Sequence, residues 1–205
     1  VGPTGEIMHP IGELSHEIAV EVFHEQAQGL KEGGVDLIWV ETISAPEEFK
    51  AAAEAFSYID LPWVGTMSFD TAGRTMMGTS PTAMVDLISS IPNKPIAFGA
   101  NCGTGASDLL RSIQEFKRSS SDSIIVAKGN AGIPKYVNGH IKYDGTPDLM
   151  AKYAIMARNS GAKIIGGCCG SKPEHLLAMR ASLESENLGN SPSLEQVELE
   201  IGPFS

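Results

Sequence analysis

The segment PIAFGANCGTGASDLL, residues 95–110, joins a short apolar run to a glycine-rich turn and then to a stretch with helical spacing. The segment KIIGGCCGSKPEHLLAM, residues 163–179, repeats this order. A buried strand followed by an amphipathic helix is the unit from which parallel sheets are built. Both segments therefore predict βα units, and both place cysteine where the strand ends.

The same alternation extends over most of the chain and predicts an α/β fold with a parallel sheet. Five apolar runs are predicted strands, at residues 36–41, 63–68, 95–101, 123–129 and 163–167. Six segments of helical spacing are predicted helices, at residues 15–32, 45–58, 80–90, 106–116, 146–160 and 172–184. In a parallel βα array the strand ends lie on one face, and in (β/α) barrels that face carries the active site. We therefore expect Cys102, Cys168 and Cys169 to meet there.

Three cysteines in this arrangement leave several functions open. Cys168 and Cys169 are adjacent, so they do not readily form a disulfide with each other, and an odd total leaves at least one thiol unpaired. The sequence shows neither a signal peptide nor a long apolar stretch, so we expect a reducing, cytoplasmic compartment and no membrane contact. The thiols can then hold zinc with an open fourth position, fill a core as small apolar groups, or serve redox chemistry.

The composition limits the class of protein and its partners. Hydrophobic residues make up 42% and charged residues 20% of the 205 residues, as in soluble globular domains with a sizeable core. The formal net charge is −10 and no basic stripe interleaved with aromatic residues occurs, which argues against nucleic acid as a partner. The acidic residues are spread over helix-like segments, which favours a solvated surface over a cation-binding one.

Several longer motifs resemble one known family. They are GANCG, GGCCGSKPEHLLAM, the strand end VET, GTMSFDTAGRTMMGTSP, and KGNAGIPKYVNGHIKYD followed by TPDLMAKYA. Together they resemble the homocysteine S-methyltransferase family, which includes betaine-homocysteine methyltransferase and the homocysteine domain of cobalamin-dependent methionine synthase. The resemblance runs from the opening VGPTGE to about Glu184.

The resemblance implies a fold and a site. The fold is a (β/α)8 TIM barrel, of which this chain would supply roughly the last five βα units as residues 1–185. The isolated cysteine and the vicinal pair of the family are its zinc ligands, which places that role on Cys102, Cys168 and Cys169. The glutamate of VET, Glu41, would contact the amino group of homocysteine, and Asn101 would contribute to the substrate pocket beside the first ligand.

The implied reaction is the transfer of a methyl group to homocysteine, which forms methionine and is a step of methionine biosynthesis. A free thiol has a pKa of about 8.5, whereas a zinc-bound thiol is deprotonated at neutral pH, so zinc would generate the nucleophile. We expect betaine as the methyl donor. S-methylmethionine and a methylcobalamin carried by a corrinoid protein partner remain alternatives, and a homo-oligomer is left open.

The sequence also departs from the implied barrel. Because only five complete strands are predicted, the first strands of the barrel would be missing and the sheet would keep an unpaired edge and exposed apolar surface. We therefore expect a fragment of a longer chain, or a chain completed by a partner. A non-catalytic zinc-binding fragment or subunit is the alternative function. Residues 186–205 are predicted to be a C-terminal tail, either a small interaction element or a frayed end.

Lys128 ends the fourth predicted strand and suggests a second chemistry. A lysine at this place in a barrel can form a Schiff base with a carbonyl substrate. Its neighbours Gly129 and Asn130 supply neither an acid nor a base, which disfavours that function relative to the zinc site.

Overall fold

A computed structural model of the chain describes residues 1–70 and 72–204. Its elements, in chain order, are α1 (His16–Glu32), β1 (Ile38–Ile43), α2 (Pro46–Ser57), β2 (Trp63–Met67), α3 (Pro81–Ser90), β3 (Ala97–Cys102), α4 (Ala106–Ser119), β4 (Ile125–Gly129), β5 (Pro134–Val137), β6 (His140–Tyr143), α5 (Pro147–Asn159), β7 (Ala162–Gly167), α6 (Pro173–Ser185) and α7 (Leu194–Ile201). Five strands form one parallel sheet in the order β1-β2-β3-β4-β7. The predicted parallel α/β fold is therefore confirmed, and each of the five predicted strands and six predicted helices is present.

The main core lies between the sheet and its helices. Its aromatic centre is formed by Trp63 of β2 with Phe49 and Phe56 of α2, whose ring centroids each lie 5.5 Å from that of Trp63. Gly65 makes this packing possible, because a Cβ atom there would lie 2.6 Å from the Phe49 ring. Strand β2 is buried along its whole length, as the apolar run in the sequence predicts.

The inner face of the sheet, defined here as the face turned away from the main core, carries a second and smaller apolar cluster. Val64, Ala97 and Val126 are buried in it, and Trp39 and Ile164 are partly buried. Side chains alternate between the two faces of a strand, so Glu41, two residues after Trp39, and Lys128, two residues after Val126, share this face. The inner face is thus apolar towards the start of the strands and charged towards their ends.

The sheet is open at both sides. Strand β7 has no partner strand on its outer edge among residues 1–70 and 72–204. Beside β1, a single residue, Val1, pairs with the strand. Its carbonyl oxygen accepts a hydrogen bond from the Glu41 N–H at 2.9 Å. The expected unpaired edge is therefore present, and Trp39 of β1 and Ile164 of β7 are only partly buried.

A β-hairpin between β4 and α5 was not predicted. Strands β5 and β6 pair in antiparallel fashion, and the turn between them consists of Asn138 and Gly139, both with positive φ angles of 53° and 81°. An Asn-Gly pair between β-forming residues is a strong signal for such a turn. The hairpin is additional to the five predicted strands of the parallel sheet, and it was missed because it is short and exposed and lacks the apolar run by which the buried strands were found.

Residues 193–204 pack against the rest of the chain. Ser193 caps α7 by accepting a hydrogen bond from the Gln196 N–H, and Val197 is fully buried against the main core. Ser107 of α4 donates to the Gly202 carbonyl at 2.7 Å, and the Arg111 guanidinium lies over the Phe204 ring. The end of the chain therefore covers helices of the sheet domain. No helix in the described part of the chain is long and apolar enough to cross a membrane.

Candidate metal centre

The structure brings the three cysteines together at the ends of β3 and β7. Cys102 is the last residue of β3, and Cys168 and Cys169 follow β7 directly, with β4 between the two strands. Their sulfur atoms all lie within 4.8 Å of one another, and the Sγ atoms of Cys102 and Cys169 are 3.7 Å apart. All three thiols are free. Residues far apart in the sequence thus form one cluster, and the strand order accounts for it.

Tight turns aim these thiols at a common point. Cys102 and Gly103 have positive φ angles of 61° and 75°, a conformation that costs a side-chain-bearing residue energy and is often found at functional sites. On the other side, the Cys168 N–H donates to the Gly129 carbonyl at 2.7 Å and so continues the β4–β7 ladder. Gly167 must lack a side chain, because a Cβ atom there would lie 2.2 Å from Ser171 Oγ.

Asn101 is buried and fully hydrogen bonded. Its Oδ1 accepts from the Thr42 N–H at 2.9 Å and from Thr66 Oγ1 at 2.7 Å. Its Nδ2 donates to Thr42 Oγ1 at 2.8 Å and lies 3.8 Å from Cys168 Sγ, within range of an N–H···S hydrogen bond. An amide group has two acceptor and two donor positions, so protein partners use all four. Asn101 therefore ties the end of β1 to Cys168.

Asn130 performs the same task on the opposite side, a role that its place as a polar residue after a predicted strand did not reveal. Its Nδ2 donates to the Gly103 carbonyl at 2.8 Å, and its Oδ1 accepts from the Cys169 N–H at 3.1 Å. Only 1% of its surface is exposed. Asn130 thus joins the two loops that carry the cysteines. We call Asn101, Cys102, Asn130, Cys168 and Cys169 the cysteine cluster.

The hairpin also reaches the cysteine cluster. The ring of Tyr143, the last residue of β6, lies against Gly170, where a Cβ atom would approach the ring to 2.4 Å. Burial and a hydrogen bond to the Cys169 side chain raise the pKa of the Tyr143 hydroxyl. This contact joins the exposed hairpin to the loop that carries Cys168 and Cys169.

The donor set fits zinc. Zinc favours tetrahedral coordination with Zn–S distances of about 2.3 Å, which separates two ligand sulfurs by roughly 3.8 Å. The measured 3.7 Å between Cys102 and Cys169 agrees with this spacing and is far longer than a disulfide bond. Three protein ligands with a fourth position free for water or substrate are typical of catalytic zinc sites.

The thiols are unequal in acidity. A hydrogen bond from the Cys102 thiol is the largest cause that lowers the pKa of Cys168 to about 5, helped by Asn101, the Cys169 N–H and the charge of Lys128. The same hydrogen bond, together with burial, raises the pKa of Cys102. The surroundings thus favour a thiolate at Cys168 over one at Cys102, and a bound cation would favour ionisation of all three thiols.

Beside the cysteine cluster, three residues of the inner face form what we call the ion-pair region. The ammonium of Lys128 donates to a carboxylate oxygen of Glu41 and lies 4.9 Å from the centroid of the Trp39 ring. The indole N–H of Trp39 donates to Thr66 Oγ1 at 3.3 Å, and Thr66 in turn bonds Asn101. The Glu41 and Lys128 side chains are 40% and 23% exposed, so solutes can reach both.

Two comparisons with known proteins bear on this chain, one on its family and the other on its fold. The family model described as homocysteine S-methyltransferase matches residues 1–183. The apo form of the homocysteine methyltransferase MmuM from Escherichia coli is similar in fold, with a TM-score of 0.71 and 22% sequence identity over 89% of this chain. Its metallated form is similar over 82% of this chain, with a TM-score of 0.64 and 23% identity. The similarity confirms the predicted TIM-barrel type of fold and its partial coverage.

The matched part is a limited share of the larger protein. This chain covers 60% of the length of the apo MmuM chain and 52% of that of the metallated form.

Proposed function

We propose that this chain, which belongs to the homocysteine S-methyltransferase family, binds zinc through Cys102, Cys168 and Cys169 and methylates homocysteine to methionine. The observation that carries the proposal is the gathering of three sulfur atoms within 4.8 Å of one another. They lie at the carboxyl ends of parallel strands, which is where barrel enzymes hold their active sites. Bound zinc keeps a coordinated thiol deprotonated at neutral pH and so supplies the nucleophile.

The protein side chains have separate tasks in this proposal. The three cysteines hold the metal and leave one side open for the homocysteine sulfur. Asn101, although proposed from the sequence as a substrate residue, has protein partners at all its polar positions and acts by fixing Cys168. Since the attacking atom is already a thiolate, no general base is needed during methyl transfer.

Glu41 binds the ammonium group of the substrate in this proposal. Its carboxylate lies on the inner face beside the cysteine cluster and is 40% exposed, so an amino acid can reach it. An ammonium bound there would leave the thiol of the same molecule to reach the metal. The β1 backbone is irregular between Val40 and Ile43, and irregularities of this kind re-aim side chains at strand ends.

Betaine is the proposed methyl donor, as the sequence resemblance implies. The alternatives are S-methylmethionine and a methylated corrinoid protein, and a homo-oligomer is a further proposed form of the protein. Because the chain covers 60% of the apo MmuM chain, the donor pocket can also involve segments outside the 205 residues. The proposed compartment is the cytoplasm, where free thiols persist.

The test is a methylation assay with the zinc-loaded chain. L-homocysteine is supplied with betaine, S-methylmethionine or a methylated corrinoid protein, and methionine is measured by mass spectrometry. We expect methionine from betaine, and none when Cys168→Ser replaces the wild type. Asn93→Ala, which removes a hydrogen bond to Ala53 on the helix side of the sheet, is the matched control and should keep the activity.

Methionine from the corrinoid protein alone would overturn the betaine assignment. Zinc binding without methionine from any donor would instead favour a non-catalytic zinc-binding fragment.

A further inference from the structure

We propose that Lys128 is the specificity residue that binds the carboxylate of the amino acid substrate, in exchange for its present partner Glu41. This inference rests on the proposed function, because it assigns the second charge of the homocysteine zwitterion at the same site. Homocysteine has a thiol, an ammonium and a carboxylate, and the first two are assigned to the metal and to Glu41. The carboxylate requires a cation or a set of hydrogen-bond donors.

Lys128 is the only basic side chain at the inward-facing positions of β1, β2, β3, β4 and β7. These positions alternate with the buried ones of the main core, and within the described strands they otherwise hold apolar, glycine, hydroxyl, amide and acidic residues. The register of the sheet sets Lys128 opposite Asn101 on one side and opposite Gly166 on the other. Its stem therefore begins between the two strands that carry the cysteines.

The lysine reaches from the cysteine cluster to Glu41. Lys128 lies on β4 and its partner Glu41 on β1, so their contact spans the inner face of β3 and β2. At its end the ammonium contacts the Glu41 carboxylate and the face of Trp39. A ligand whose thiol lies at the cysteines and whose ammonium lies at Glu41 must therefore place its carboxylate near this lysine.

The charge balance of the site supports the same assignment. Three thiolates and one zinc ion carry a net charge of about −1, and Glu41 adds another negative charge. A substrate carboxylate would be repelled from such a site unless a cation stood beside it. Lys128 supplies that cation, and Trp39 holds it on the inner face through a cation–π contact.

The present ion pair can open for a ligand. Both partners are partly exposed, and ion pairs in contact with solvent contribute little net stability. A zwitterion that inserts its ammonium at Glu41 and its carboxylate at Lys128 replaces one favourable contact by two of the same kind. No charge is left unpaired in the exchange, which favours amino acid thiols over thiols that carry a single charge.

The experiment measures ligand binding to the zinc-loaded chain by isothermal titration calorimetry. The three ligands are L-homocysteine, 3-aminopropanethiol, which lacks the carboxylate, and 4-sulfanylbutanoate, which lacks the ammonium. In Lys128→Met we expect the affinity for homocysteine and for 4-sulfanylbutanoate to fall by about 10- to 100-fold, the usual effect of one lost charged hydrogen bond. The affinity for 3-aminopropanethiol should stay the same or rise, because Glu41 loses its competing partner.

Two further variants sharpen the result. Lys128→Arg keeps the charge and should recover most of the affinity for homocysteine. Lys163→Met removes a lysine that is exposed at the start of β7, and as the matched charge control it should change none of the three affinities. If Lys128→Met does not fold, the wild type alone still tests the proposal. The wild type should bind 4-sulfanylbutanoate more tightly than butanethiol, which lacks the carboxylate.

The outcomes separate this inference from the proposed function. Equal losses for homocysteine and 3-aminopropanethiol in Lys128→Met would show that the lysine merely holds Glu41 in place, and unchanged homocysteine binding would exclude any role. Either result overturns the inference while leaving the proposed function intact. If the zinc-loaded wild type binds none of the thiols, the proposed function itself fails and the inference fails with it.

Discussion

The cysteine cluster and the ion-pair region lie side by side on the same strand ends, but they are held in different ways. In the cysteine cluster, Asn101 and Asn130 are each 1% exposed and hydrogen bond to both sides of the site. In the ion-pair region, Glu41 and Lys128 are partly exposed and depend chiefly on each other. The first region is thus fixed before any ligand arrives, whereas the second can exchange partners. This difference agrees with the proposal that the first region holds a metal and the second an exchanging substrate.

The largest expected effect comes from removing a ligand of the cysteine cluster. Cys168→Ser should weaken zinc binding by more than about 100-fold, since loss of an outer partner alone costs 10- to 100-fold. A competition titration with a coloured zinc chelator measures the affinity, and circular dichroism checks that the fold is kept. Zinc affinity equal to that of the wild type would show that the cysteine cluster is not the metal site.

The next largest expected effect comes from Asn101, whose buried amide lies beside Cys168. Asn101→Ala leaves the Thr42 N–H and Thr66 Oγ1 without their acceptor, so the free energy of unfolding should fall by about 1–3 kcal/mol. Zinc affinity should fall by about 10- to 100-fold, because Cys168 loses its hydrogen-bond donor. Urea denaturation and chelator competition measure the two quantities. Asn93→Ala should lower stability without changing zinc affinity, and an equal loss of zinc affinity in that variant would contradict a specific role for Asn101.

A smaller effect concerns the acidity of the Cys168 thiol in the zinc-free chain. Cys168 has a pKa of about 5, well below the ordinary value of a thiol, so its hydrogen bonds stabilise the folded state above the ordinary pKa. This stabilisation is lost as the pH falls through about 5. The ultraviolet absorbance of the thiolate should show one group that titrates near this pH, and Cys168→Ser should abolish it. Cys102→Ala should move the midpoint upward, because it removes the hydrogen-bond donor that is the largest cause of the shift. A midpoint that stays near 5 in Cys102→Ala would contradict this origin.

The smallest expected effect on the metal tests whether the two regions are independent. Glu41→Gln should leave zinc affinity within about threefold of the wild type, since Glu41 has no hydrogen bond to a cysteine. In the same variant, homocysteine should bind about tenfold or more weakly, because an ionic hydrogen bond becomes a neutral one. Chelator competition and calorimetry measure the two affinities. A large loss of zinc affinity would show that the two regions are coupled.

Much of the fold could be predicted from the sequence because the buried strands follow one rule. A strand covered on both faces must be apolar along its length, so runs such as WVGTM stand out, and cysteines next to glycine mark the ends of β3 and β7. The hairpin escaped this rule because its residues are exposed, although Asn138-Gly139 carried a usable turn signal. Helix α7 also lacked a clear signal in the sequence, because only one of its residues, Val197, is buried.

The site was predictable to the extent that strand order determines it. Parallel order brings Cys102 to Cys168 and Cys169, and the family resemblance pointed to Glu41. The partners of these residues were not predictable, since they depend on register and on side-chain reach across several strands. The Glu41–Lys128 pair joins β1 to β4, and Asn130 spans two loops. Neither contact leaves a local pattern in the sequence.

X-ray absorption at the zinc edge of the zinc-loaded chain tests the central claim most directly. We predict three sulfur neighbours at about 2.3 Å without substrate and a fourth at about the same distance after L-homocysteine is added. Fewer than three sulfur neighbours without substrate would contradict the assignment of the three cysteines. A spectrum that homocysteine does not change would contradict the proposal that this metal centre activates the substrate thiol.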